Sequence, residues 1–302
     1  MSRTVLITGA GGFVGSHLAQ GFLAMGDGVV ALDRAFDTAT RQRLNGGLIV
    51  EQALTASAFS HLPKIDLVIH AAAITTPPDD LGISDAAHIE GNVSLLTTCL
   101  DFATRHGVSD FVFVSSSGVF APEDGSGIHL ETTPATSRLP YAMAKRAGEA
   151  ATKGANSGSL RALSIRLGPI YGPNETQRDS RRIVSQIRRW LDAAGRGEPI
   201  VVSMPDEHRD WTFAPDLAPA LSRLLAIEPK LTGIIHLTSA DIIANIDLAQ
   251  SVAALVDGSS VVSAPTGPTP RLPMASVRLD MPSFYPWTSL TAGLQQTLEV
   301  AA

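Results

Sequence analysis

The chain has 302 residues, of which 44% are hydrophobic and 17% charged, with a formal net charge of −6. That balance supports one large core or two unequal units, while a pI near 5.7 gives no general attraction to nucleic acid or to an anionic membrane. No apolar run approaches the ~20 residues of a membrane helix, and the N-terminus enters a strand-like run without a signal peptide's apolar stretch, so a cytoplasmic protein is expected.

Val5, Leu6 and Ile7 form an aliphatic run suited to a central parallel strand. The turn that follows is Thr8-Gly9-Ala10-Gly11-Gly12-Phe13-Val14-Gly15. Without Cβ atoms at Gly9, Gly12 and Gly15 the backbone can turn sharply, approach a pyrophosphate and let the next helix lie close on the strand. That helix carries Leu18, Phe22 and Leu23 at helical spacing, and its N-terminus would attract phosphate. A second strand at 29–32 ends in Asp33, about 20 residues beyond the glycines, where the dinucleotide fold places the acid that holds the adenosine ribose hydroxyls. Asp33 should repel a 2′-phosphate, which favours NAD. Arg34 beside it would accept that phosphate if the backbone turned, which leaves NADP as the second choice.

Strands and helices then alternate: a weak strand at 47–50, a strand at 65–70 running into Ala71-Ala72-Ala73, a loop with Thr75 and Thr76, a helix over 85–105, and a strand at 111–114 ending in Ser115-Ser116-Ser117. The pattern predicts an α/β fold with a doubly wound parallel sheet of Rossmann type. Ligands of such sheets bind outside the carboxyl ends of the strands, so the glycine turn, Asp33, Ala71 to Ala73 and the three serines should line one crevice. After an irregular loop at 121–139 come a helix at 141–150 and a strand at 161–167. Beyond Gly168 the alternation weakens. Pro169, Gly172 and Pro173 punctuate a loop, a basic amphipathic helix is expected over 180–194, and Arg209-Asp210-Trp211-Thr212-Phe213 precedes a helix at 216–226. A final strand at 234–237, a Pro-rich segment at 264–273 and a terminal helix at 290–300 complete the chain. The expected division is a dinucleotide-binding domain, 1–168 plus about 211–239, and a smaller discontinuous C-terminal substrate-binding lobe, about 169–210 and 240–302.

Tyr141 and Lys145 are four residues apart, so on a helix they share a face. A phenol is a poor base at neutral pH, but an adjacent ammonium and an oxidised nicotinamide favour the phenolate, which could take a proton from a substrate hydroxyl as hydride leaves carbon. Ser116 or Ser117 could hydrogen-bond the same oxygen. Other candidates carry less. Arg181, Arg182, Arg188 and Arg189 lie opposite Ile183, Ile187, Trp190 and Leu191, as on a solvated helix face. His17, His61, His70, His88 and His208 lack metal-ligand spacing, so no metal is expected. The single Cys99 reads as a buried small residue and excludes an intramolecular disulfide. Trp211 and Phe213 read as packing residues.

Together the glycine turn, His70-Ala71-Ala72-Ala73, Asn92, Ser115-Ser116-Ser117-Gly118-Val119-Phe120, Tyr141 to Lys145, Ile170-Tyr171-Gly172-Pro173 and Arg209-Asp210-Trp211-Thr212-Phe213 resemble an extended short-chain dehydrogenase/reductase of the NAD-dependent epimerase/dehydratase family. The resemblance covers essentially the whole chain. It implies catalysis by Ser116, Tyr141 and Lys145, with Ser117 as fallback for Ser116. It implies cofactor contacts from Gly9, Gly12, Phe13, Val14, Gly15, Asp33, Arg34, Leu54, Ala71, Ala72, Ala73, Asn92, Val114, Tyr141, Lys145, Pro169 and Ile170. Substrate contacts would come from Thr75, Ser116, Ser117, Arg209 and Arg271, and family analogy adds a homodimer through a helix pair. Three departures from the family pattern narrow the reading. Ser117 and Gly118 stand where dehydratases carry acids, which disfavours dehydration. Pro169 replaces a common Asn, and Ala53-Leu54 an adenine-touching Asp-Leu. The expected activity is hydride transfer between nicotinamide and a secondary alcohol or ketone of a sugar, sugar acid or related polyol. A sugar-nucleotide epimerase with retained NAD and a non-enzymatic NAD(P) sensor are the alternatives. No nucleic acid or membrane partner is expected.

Overall fold

The computed structural model describes residues 3–177, 184–267 and 270–300. The chain forms two compact units, one from Met1–Val119, Ser137–Arg166 and Pro215–Ile235, the other from Phe120–Thr136, Leu167–Ala214 and His236–Ala302. Residues 120–136, which the sequence reading leaves inside the first domain, group with the second unit.

The first unit is built on a sheet whose first six strands are β1 (Thr4–Thr8), β2 (Gly28–Asp33), β3 (Leu48–Glu51), β4 (Leu67–His70), β5 (Asp110–Ser116) and β6 (Arg161–Leu167). The seventh is Gly233–His236, and the spatial order is Gly233–His236, β6, β5, β4, β1, β2, β3. This is the doubly wound α/β arrangement expected. Strand order reverses between β1 and β4, and ligands of open α/β sheets bind at such a switch point. The parallel register sets Thr8 opposite both Leu32 and His70, and His70 opposite Phe113. The carboxyl ends of β1, β2 and β4 therefore stop within one residue of each other, and β5 runs three residues further, to Ser116. Val5, Leu6, Ile7, Val68 and Ile69 are fully buried, the all-apolar burial that a sheet covered on both faces requires.

The helices of this unit begin with α1 (Phe13–Ala24), α2 (Thr38–Arg43), α3 (Pro78–Leu81), α4 (Asp85–Arg105) and α5 (Pro140–Gly154). The expected boundaries of α4 and β6 match, whereas the helix after the glycine turn starts earlier, at Phe13, and α5 runs four residues past the expected end. Pro140 opens α5, where its fixed φ and missing N–H cost nothing. Close packing on β5 is set by Gly148, since a Cβ there would lie 2.6 Å from Phe113 Cζ. Cys99 is fully buried in α4, as read from the sequence.

The second unit has its own core, with Tyr171, Ile187, Trp190, Trp211, Phe213, Leu248 and Leu294 among its buried members. Trp211 and Phe213 are thus packing residues. The basic helix begins at Gln186, capped by Ser185, not at 180, and runs to Gly195; it holds Arg188 and Arg189, while Arg181, Arg182 and Ile183 lie outside the described residues. The strand at 233–236 is not the last, because Ile242–Ala244 and Val261–Ser263 follow it, with a helix at Asn245–Ala253 between them. Strands of three residues are too short to show a period of two, and that is why the sequence left them unassigned. No helix among the described residues is long and apolar enough to cross a membrane.

Candidate dinucleotide and catalytic site

The glycine turn is held against the end of β4. Gly9 has φ +73°, and a Cβ on it would lie 2.5 Å from the Ala72 nitrogen, so only glycine allows the turn to touch the Ala71-Ala72 backbone there. A Cβ on Gly15 would lie 2.0 Å from Gly9 O, which locks the first turn of α1 beneath the loop. Gly11, which the sequence reading did not single out, is equally constrained, with its would-be Cβ 2.2 Å from Ala35 O. Nothing in its immediate neighbours in sequence signals this contact. Gly12 caps α1 with no side chain to occupy the helix terminus, the arrangement that suits a phosphate.

Asp33, at the end of β2, is tied into this turn. Its Oδ2 accepts the Gly11 N–H at 2.9 Å and its Oδ1 the Arg34 N–H at 2.7 Å. Burial raises its pKa above the usual carboxylate value, against the opposing pull of the backbone N–H groups. The carboxylate also receives the Ala35 N–H, which leaves about one of its four lone-pair sites open to a ribose hydroxyl. The cradle of glycines and this acid fit the pyrophosphate and adenosine ribose of a dinucleotide.

Ser115, Ser116 and Ser117 part ways at the end of β5. Ser115 is buried, and its hydroxyl donates to Glu149 Oε1 at 2.7 Å. Ser116 Oγ accepts the Gly118 N–H at 3.0 Å. A Cβ on Gly118 would lie 3.3 Å from Ser116 Oγ and 3.8 Å from Cδ1 and Cε1 of Tyr141. Gly118 therefore has the Ser116 hydroxyl and the Tyr141 ring as its immediate neighbours, while Ser117 opens the 3-10 turn Ser117–Val119.

Lys145, one helical turn beyond Tyr141, is buried, and its Nζ donates to Val114 O at 2.7 Å. The ammonium lies 4.7 Å from the centre of the Phe113 ring and 5.4 Å from that of Tyr141. Burial lowers its pKa to about 8, and the Glu149 carboxylate acts in the opposite sense. Glu149 is itself fixed by the Arg166 guanidinium, through Nε at 2.7 Å and Nη2 at 2.8 Å. That buried pair, which the sequence reading missed, links α5 to β6 directly beneath the Tyr141-Lys145 turn.

Other expected residues divide by their contacts. The Asn92 side chain is engaged with the loop after Ala73: its Oδ1 accepts the Ile74 N–H at 2.9 Å and its Nδ2 donates to Ile74 O and His88 O. Thr75 follows in that loop and is exposed. Leu54 is half-buried against the core cluster of the first unit, and Phe13 is buried with its ring edge-on to His17. Val14 is half-buried. His70 is buried with Nδ1 2.8 Å from Thr8 Oγ1 and 3.4 Å from Cys99 Sγ. Burial, then the Lys145 charge, lowers its pKa to about 3, so it is neutral. No group of metal-ligating side chains is found among the described residues.

The remaining candidates belong to the second unit. Pro169 O accepts the Thr212 N–H at 3.0 Å, and Ile170 pairs with Thr212 in a two-residue parallel ladder. Arg209 is largely buried, with Nη1 3.7 Å from Glu207 Oε1, and its Nε has no hydrogen-bond partner among the described residues. The Arg271 N–H and Arg209 Nη1 both meet Glu207 Oε1, at 2.8 and 3.7 Å, which brings the two arginines together; burial, and next the Arg209 charge, lower the Arg271 pKa.

A family model described as the NAD dependent epimerase/dehydratase family matches residues 5–233. A probable dTDP-4,6-dihydroxy-2-methyloxan-3-one 4-ketoreductase of Streptomyces antibioticus is 32% identical over 83% of this chain and 77% of its own. A dTDP-4-dehydro-6-deoxy-D-allose reductase of a Streptomyces species is 27% identical over 98% of this chain and 95% of its own. Among solved structures, a UDP-glucuronic acid 4-epimerase from Bacillus cereus, in complex with UDP-glucuronic acid and NAD, superposes with a TM-score of 0.80 at 19% identity, covering 99% of this chain and 98% of that one.

Proposed function

Because the chain belongs to the NAD dependent epimerase/dehydratase family, we propose that it transfers hydride between nicotinamide and a secondary alcohol or ketone of a sugar, with a sugar joined to a nucleoside diphosphate as the favoured substrate. NAD supplies the hydride acceptor or donor. Tyr141 exchanges the proton with the reacting oxygen, and Ser116 donates a hydrogen bond to that oxygen and holds it in line. Lys145 presents a positive charge to the Tyr141 ring, which favours the phenolate. Gly9, Gly11, Gly12 and Gly15 accommodate the pyrophosphate and Asp33 the adenosine ribose. Arg209 and Arg271 bind the phosphoryl groups of the substrate, which is the reason for favouring a nucleotide-linked sugar; the two dTDP-sugar reductases among the relatives support it.

The observation that carries this reading is the grouping at Gly118, where the Ser116 hydroxyl and the Tyr141 ring flank a residue with no side chain, next to a buried lysine. The test is a panel of UDP- and dTDP-linked hexoses and 4-ketohexoses, followed by NADH absorbance and by NMR of the sugar. Stoichiometric change in NADH with reduction or oxidation of one sugar carbon supports the proposal. Inversion at a carbon with no net NADH would replace it by an epimerase, and tight NAD binding without turnover of any panel member by a sensor.

A further inference from the structure

Arg271 lies in a stretch without regular secondary structure, and two carboxylates of the second unit take up the backbone there. Glu207 Oε1 accepts the Arg271 N–H at 2.8 Å, and Asp210 Oδ1 accepts the Met274 N–H at 3.0 Å. Glu207 precedes the short strand His208–Asp210 and Asp210 ends it, so a spacing of three residues on one side matches a spacing of three on the other. Their second oxygens are fixed as well. Asn245 Nδ2 donates to Glu207 Oε2 at 3.0 Å, and Thr238 Oγ1 donates to Asp210 Oδ2 at 2.9 Å. Room for Asp210 exists because position 168 is glycine: a Cβ there would lie 2.3 Å from Asp210 Oδ2. His129 adds a further tie, its N–H donating to Pro273 O at 2.8 Å and its carbonyl accepting the Ala275 N–H at 3.1 Å.

Arg209 sits between the two carboxylates on the same strand. Two neighbouring guanidiniums repel each other, and a loop carrying one of them would relax away unless its main chain were held. The clamping hydrogen bonds act on main-chain amides, and the Glu207 carboxylate also offsets part of the repulsion, lying 3.7 Å from Arg209 Nη1 and raising the Arg271 pKa against burial.

We propose that Glu207 and Asp210 are positioning residues for substrate binding, clamping the Arg271–Met274 backbone so that Arg271 stays beside Arg209 as a preorganised pair for a nucleoside diphosphate. This rests on the phosphoryl-binding role proposed above for the two arginines. A hydrogen bond to a buried charged group is the stronger kind, and its loss costs affinity on the order of tenfold.

The experiment uses calorimetric titration of the full chain with UDP at saturating NAD. Arg271→Ala and Glu207→Leu should each weaken UDP about tenfold, and the double variant should be no weaker than either single one, because Glu207 acts through Arg271. Glu207→Gln keeps an acceptor for the amide and should stay within about threefold of the parent, and NAD affinity should be unchanged throughout. Losses that multiply in the double variant would overturn the positioning role while leaving the arginine reading intact. So would a tenfold loss with Glu207→Gln, a result that can be read even if the leucine variant does not fold. UDP binding that is absent in the parent, or unchanged by Arg271→Ala, would overturn the arginine reading and this inference with it.

Discussion

The Lys145 ammonium lies 5.4 Å from the centre of the Tyr141 ring, one helical turn along α5, and donates to Val114 O at 2.7 Å. The carbonyl anchor fixes the charge in place before any ligand arrives. If Tyr141 is the proton-transfer group, Tyr141→Phe removes the hydroxyl alone and should lower kcat by about 10²–10⁴. The ring and its packing remain, so the NAD dissociation constant measured by fluorescence titration should change by less than about threefold. Turnover within a factor of ten of the parent would exclude the assignment.

Burial of Lys145 also has a consequence for stability. Its pKa falls from 10.5 to about 8 on folding, so between these values the unfolded chain binds the proton and the folded chain does not. Stability therefore rises with pH across that window. The full effect is ~3 kcal/mol in favour of the protein at the alkaline end, relative to pH below 8. Urea titrations of the parent and Lys145→Met between pH 7 and pH 10 should show this slope in the parent only. A parallel pH dependence in both would disprove it.

What the sequence made legible and what it did not follow from the range of the interactions. The limits of α4 could be read because Ser84 caps it, its side chain accepting from the Ala87 N–H at 3.2 Å, and because β6 is an unbroken run suited to a covered strand. The sorting of Ser115, Ser116 and Ser117 needed the strand's faces, since Ser115 turns into the interior towards Glu149. The Glu149–Arg166 pair joins residues 17 apart, and the Glu207–Arg271 contact residues 64 apart. Neither spacing has a local signature. The constraint on Gly11 has no local signature either, because it comes from the Ala35 carbonyl, a contact made only once β1 and β2 are side by side.

Gly11 and Gly12 make a paired prediction. A Cβ on Gly11 would meet the Ala35 oxygen at 2.2 Å and Asp33 Oδ2 at 3.0 Å, whereas one on Gly12 would meet only Gly9 O, at 3.2 Å. Gly11→Ala must push backbone, at a cost of about 1–3 kcal/mol, and it disturbs the hydrogen bond from the Gly11 N–H to Asp33, the acid proposed to hold the adenosine ribose. It should lower Tm and weaken NAD binding together. Gly12→Ala should lower Tm little and act on NAD affinity alone, because it adds a methyl where the proposed function puts the pyrophosphate. Equal thermal shifts for the two, measured by calorimetry, would contradict this account.

Glu149 and Arg166 are both about 95% removed from solvent, with side-chain exposures of 6% and 5%. Removing one partner leaves a buried charge uncompensated, which costs about 3–5 kcal/mol, whereas replacing both by apolar residues of similar volume is far cheaper. Glu149→Met should therefore be strongly destabilising, and Glu149→Met with Arg166→Met should recover much of the loss in urea denaturation. Ser115 makes the recovery incomplete, since its hydroxyl loses its acceptor in both variants. The same substitutions reach the Tyr141–Lys145 turn, because Glu149 is the group that offsets burial in holding the Lys145 proton. In the double variant, folded but without that carboxylate, the Lys145 pKa should fall below about 8, so the alkaline stability slope should begin at a lower pH while its upper end stays at the unfolded value of 10.5. A slope that stays in place would show that Glu149 serves packing alone.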